Sequence, residues 1–92
     1  MDIRDMQVVN DYGDRFGMNE HGVAYVAVSK RCGRCHAVEV HAARTVLHDE
    51  LQARRGESLP RSIWSSPAKV GTQDLDGITY VVFEEGEDPE ND

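Results

Sequence analysis

Both cysteines of the chain fall within one seven-residue stretch, Lys30-Arg31-Cys32-Gly33-Arg34-Cys35-His36, with two residues between them and a histidine directly after. Two thiols on so tight a turn can share a metal ion, exchange a disulfide or attach a haem. The spacing bears on the fold as well as on chemistry. A chain of 92 residues makes one domain with a small core, so a stapled turn would carry real weight in its stability.

The segments around the turn suggest what it joins. Residues 22–29 (Gly-Val-Ala-Tyr-Val-Ala-Val-Ser) are rich in β-branched and aromatic side chains and too short for an ordinary helix, which predicts a strand. After the cysteines, Ala37-Val38-Glu39-Val40-His41 alternates apolar and polar residues as a returning strand would. The two make a hairpin over residues 22–41 with the thiols at its tip. Upstream, Val8, Val9, Tyr12 and Phe16 are broken by Asn10-Asp11 and Gly13-Asp14, a pattern of one or two short strands with turns.

Residues 42–55 are good helix formers, with Ala43, Leu47 and Leu51 at four-residue spacing forming a buried stripe, Arg54 and Arg55 in the last turn, and Gly56 as the stop. Residues 58–67 read as a connector with one helical turn starting at Pro60, and Ile63 and Trp64 cover the helix. Asp76-Gly77 opens a second strong strand over 78–83. Its Gly-Ile-Thr-Tyr-Val-Val-Phe echoes the Gly-Val-Ala-Tyr-Val-Ala-Val of residues 22–28, two similar core strands whose likeness strand composition explains more cheaply than duplication. The predicted fold is α+β: one small domain over residues 1–83, with an antiparallel hairpin or sheet of about three or four strands packed on one α-helix and a zinc-knuckle-like turn at the hairpin tip.

The net charge of −7 is mostly a property of the end of the chain, where six of the seventeen acids lie in residues 84–92. That stretch, with no apolar anchor after Phe83, reads as a flexible, solvated acidic tail. Without it eleven acids face ten bases, and between residues 30 and 61 seven bases outnumber four acids, so the cysteine region is locally basic. Arginine exceeds lysine eight to two, an excess that either a high-GC genome or a halophilic origin produces. The longest apolar run, Ala24 to Val28, is far short of the roughly 20 residues of a membrane helix. The first residues carry neither a basic leader nor an apolar signal core, which points to a cytoplasmic setting. There, paired cysteines more often bind metal or do redox work than form a permanent disulfide.

Zinc takes four nitrogen or sulfur ligands, and Cys32 and Cys35 offer two on a turn that Gly33 permits. The cations Lys30, Arg31 and Arg34 favour thiolates. The remaining ligands must come from His36, His41 and His48, with His21 read as a turn residue. His48 follows Cys35 after twelve intervening residues, the interval of two-cysteine, two-histidine fingers, but the second histidine of such a finger would fall at Gln52, Ala53 or Arg54. If His41 and His48 share a helix they stand roughly 10 Å apart, too far for one ion. A redox dithiol is the main competing reading, and inert thiols the bland one. Cys32 to His36 also completes the covalent haem pattern, but an unexported chain with little apolar volume argues against haem.

No phosphate loop, nucleophile turn or His-Glu-x-x-His helix is present in the sequence, so a non-enzymatic role is expected. The predicted function is a zinc-stabilised interaction or assembly module that binds another macromolecule, with Lys30, Arg31 and Arg34 as the contact surface. Protein is favoured over nucleic acid as the partner, because the acidic tail competes with phosphate for these cations. A thiol redox protein, a finger-like nucleic-acid binder and a small subunit of a larger assembly such as a virus particle are the alternatives.

Overall fold

The computed structural model describes residues 1–55 and 67–86. The chain forms a small α+β domain in which five antiparallel strands pack against one helix. In chain order the strands are β1 (Gln7–Val8), β2 (Arg15–Met18), β3 (Ala24–Ser29), β4 (Ala68–Leu75) and β5 (Ile78–Glu84), and the helix α1 (His36–Arg55) lies between β3 and β4. The sheet order is β1-β2-β3-β5-β4.

The two strong β-forming runs are neighbours: β3 and β5 pair antiparallel, with Val26 opposite Phe83 and Val28 opposite Val81. Their apolar runs are nearly continuous because both faces of these central strands are covered. Ala24, Val26, Val28, Val81 and Phe83 face the helix and are buried with Ala43, Val46, Leu47 and Leu51. The stripe predicted at Ala43, Leu47 and Leu51 is therefore the packed face of α1. On the opposite face Ala27, Tyr80 and Val82 are buried under Ile3 and Met6, which a short 3-10 turn at Ile3–Asp5 lays across the sheet. Gln73 of β4 ties that turn down, accepting from the Ile3 N–H at 3.1 Å and donating to the Met1 carbonyl at 2.8 Å.

One expected element is overturned. Residues 37–41 are not a returning strand but the first turns of α1, which begins at His36 rather than near Ala42. The physical reason is that β3 has no edge to offer, since β2 occupies one side and β5 the other. A five-residue alternation also carries helical spacing, for Val40, Ala43 and Leu47 fall on one side of α1. The cysteine turn consequently joins a central strand to a helix instead of capping a hairpin.

The sheet also holds a strand, β4, that its own residues do not announce. It is an edge strand, mostly exposed, with a bulge between Lys69 and Gly71. It returns to β5 through Asp76-Gly77, whose φ angles of 54° and 80° are the positive pair that a tight type I′ hairpin turn requires. At the other end of β5, Glu84 pairs with Tyr25 and Ala68, and the Glu85 side chain accepts from the Ala24 N–H at 3.1 Å. The first two acids of the tail are thus tied to the sheet. The expectations for Gly56, the Pro60 turn, Ile63, Trp64 and residues 87–92 lie outside the described residues. Among the described residues no helix is long and apolar enough to cross a membrane.

Candidate functional site: the cysteine turn and its buried clamp

β3 ends at Ser29, and the backbone then tightens into a 3-10 turn over Arg31–Gly33. Two bonds start that turn: the Lys30 N–H donates to the Thr79 carbonyl at 2.9 Å, and the Arg31 N–H donates to the Ser29 hydroxyl at 3.1 Å. Gly33, at φ 64°, turns the chain toward the helix in a conformation that other residues resist. Cys35 is exposed and stands at the helix cap, its carbonyl accepting from the Glu39 N–H at 3.0 Å. Both cysteines therefore lie at the N-terminal end of a 20-residue helix.

Arg34, between the two cysteines, does not face solvent. Its Nη1 donates to Asp14 Oδ1 at 2.9 Å and Oδ2 at 3.2 Å, and approaches the Ser29 carbonyl at 3.4 Å. The guanidinium lies 4.5 Å from the centroid of the Tyr12 ring. Asp14 is fully buried and also accepts from the Ser29 N–H at 2.9 Å and from Asn10 Nδ2 at 3.0 Å. Asn10 shapes the loop that delivers Asp14, its Oδ1 accepting from the N–H groups of Tyr12 and Asp14. Removing one partner from a buried charge pair of this kind costs about 3–5 kcal/mol, because the other charge is left uncompensated. In the sequence Asn10 and Asp14 announce only turns and Tyr12 only an apolar position, and nothing in their spacing signals a contact with the cysteine segment.

The other predicted cations divide. Lys30 Nζ sits 3.3 Å from Oε2 of Glu39, a carboxylate on the first turns of α1 that is almost wholly buried. Arg31 is exposed. Of the three residues predicted to form a basic contact surface, Arg34 is bound into the fold and Lys30 faces a carboxylate, so the sequence count overstates the positive surface.

The histidines also separate. His36, the first residue of α1, is adjacent to Cys35 and exposed, with Nδ1 3.9 Å from Glu39 Oε1. His41 and His48 share α1, which carries them about 8 Å and about 18 Å along the axis from His36. His48 lies 3.3 Å from Asp49, far from the cysteine turn. His21 precedes β3 and so lies at the opposite end of that strand from the cysteines. Of the four, the structure sets His36 next to Cys35, and among the described residues no three His, Cys, Asp or Glu side chains gather as a metal-binding group. His41 instead lines a groove of about 400 Å³ with Tyr12, Arg34, Val38 and Thr45, where the 9–14 loop meets the first half of α1. Tyr12 and Val38 are exposed apolar groups of this groove, and Arg34 joins it to the cysteine turn. No family model matches the chain, and no curated protein or solved structure matches it.

Proposed function

We propose that the chain is a small, non-enzymatic interaction module in which Cys32 and Cys35 supply two thiolates to a zinc ion and the groove beside them receives a partner protein. The observation that carries the reading is the buried Arg34–Asp14 pair, which fixes the turn bearing both cysteines to the core of the domain. A turn fixed before the metal arrives loses little freedom on binding it. His36 is the candidate third ligand. His41 lines the groove and His48 stands further along α1, so a fourth ligand would come from water, a carboxylate or the partner itself. Protein is favoured over nucleic acid because the cations of the turn are largely engaged within the fold, whereas Tyr12 and Val38 offer apolar contact.

Metal analysis of untagged protein purified under native conditions tests the reading. Stoichiometric zinc that is lost in Cys35→Ser and in Cys32→Ser supports it. Metal-free protein with a reversible Cys32–Cys35 disulfide overturns it and moves the site to thiol redox chemistry. That second reading draws on the exposure of Cys35 at the head of α1, where a partner's disulfide can reach it. The exchange would leave the partner as a dithiol and join Cys32 to Cys35, two electrons passing from the one pair to the other.

A further inference from the structure

Asp14 belongs to the loop between β1 and β2, yet its carboxylate holds two points of the cysteine segment at once. It accepts the N–H of Ser29, the last residue of β3, and the guanidinium of Arg34, the residue before Cys35. Cys32 lies between those two points in the chain. Arg34 closes the same loop by reaching the Ser29 carbonyl, and Tyr12 stacks on its outer side. The carboxylate is wholly shielded from water and the Arg34 side chain is nine-tenths buried, so solvent competes little for either partner.

We infer that Asp14 is a positioning residue for the Cys32–Cys35 pair: through Ser29 and Arg34 it sets the backbone that carries the thiols, and with it their capacity to act together. The inference rests on the reading of these two cysteines as a working pair, and it holds for metal binding and for disulfide formation alike. Residues that orient ligands from behind typically cost 10–100-fold in metal affinity when changed. The same order of loss is expected here, from a carboxylate that acts through Ser29 and Arg34 rather than on the metal.

The test uses the full chain with Asp14→Asn, which keeps the shape of the side chain and removes its charge. Two readouts are taken. The first is the equilibrium with glutathione, in which the dithiol and glutathione disulfide give the Cys32–Cys35 disulfide and two glutathione thiols. The second is titration with cobalt(II), followed by thiolate-to-metal absorption. Asp14→Asn is expected to lower both constants by about 10–100-fold, while Leu51→Ala, which loosens the core at the far end of α1, leaves both unchanged in the folded protein. Arg34→Lys, which keeps the charge without the planar fork, is expected to fall between wild type and Asp14→Asn. Unchanged constants in folded Asp14→Asn, or equal losses in Leu51→Ala, overturn the inference. Should Asp14→Asn not fold, Asn10→Ala removes one donor to the same carboxylate together with the Asn10 Oδ1 contacts that shape its loop; a smaller fall in both readouts supports the role and none overturns it. Wild-type protein that takes up neither cobalt nor zinc, but whose glutathione equilibrium shifts in Asp14→Asn, overturns the metal reading and leaves the positioning role standing. Metal binding indifferent to Asp14→Asn does the reverse.

Discussion

Lys30 Nζ lies 3.3 Å from Glu39 Oε2, and among the described residues that buried oxygen accepts no hydrogen bond. The pair links the residue after β3 to the first turns of α1, across the base of the cysteine turn. Its lysine is about half exposed, so the attraction is screened and its loss alone is modest. What matters is the carboxylate left behind. Lys30→Met is expected to destabilise the domain by about 1–3 kcal/mol, because it leaves the charge of that buried carboxylate without its cation. Lys30→Met combined with Glu39→Met removes that cost and should recover most of the loss. Urea unfolding midpoints at a constant m value provide the comparison; equal loss in the single and double variants contradicts the account.

The helix is held mainly through one stripe, where Leu47 and Leu51 are almost completely buried against Val26, Val28 and the other core residues. Leu47→Ala removes most of a side chain from the middle of this stripe and leaves a cavity that a small domain fills poorly, so a loss of about 2–5 kcal/mol is expected. Such a loss is a large part of the stability of a typical domain. Gln52→Ala, on the exposed side of the same helix, should change stability by less than about 0.5 kcal/mol. Thermal and urea unfolding of the two variants should differ accordingly.

The hairpin between β4 and β5 rests on the positive φ of Asp76 and Gly77. Among the described residues no atom lies within 4 Å of a Cβ added at Gly77, so the penalty of Gly77→Ala is one of backbone conformation. That penalty is expected at about 1 kcal/mol or slightly more, a fall in melting temperature of about 4–8 °C for a domain of this size. Asp76→Asn, which suits the same turn, is expected to leave the melting temperature unchanged. A Gly77→Ala variant that melts with wild type would show that β4 and β5 are not joined by this turn.

These elements differ in how plainly the chain declares them. β3 and β5 are legible because central strands covered on both faces need nearly unbroken apolar runs, and Tyr80, Val81, Val82 and Phe83 supply one. β4 is not, because an edge strand carries Lys69, Thr72 and Asp74 toward solvent and its pairing depends on a turn that looks, in sequence, like the start of β5. The start of α1 is hidden by Val38 and Val40, whose two-residue spacing fits a strand locally; which edges of β3 are already taken is a non-local fact. The cysteine pair itself is plain in the sequence. Its clamp is not, since Asp14 and Arg34 come together only once the β1–β2 loop folds around Asn10.

The cations of the cysteine turn offer one more discrimination. A turn that grips nucleic acid must present guanidinium or ammonium groups to phosphates, and each such contact released on mutation lowers the slope of log affinity against log salt by about one. Arg31 is the exposed arginine of the turn, while Arg34 is committed to Asp14 and Lys30 faces Glu39. With a net charge of −7 over the chain, a single exposed arginine is too little to overcome long-range repulsion. Fluorescence anisotropy with a labelled duplex and a labelled single strand is therefore expected to show no salt-dependent binding at physiological ionic strength, and Arg31→Ala no change from wild type. Binding that weakens steeply with salt and loses about one unit of slope in Arg31→Ala would instead place the phosphate contact on this turn and displace the protein-binding reading.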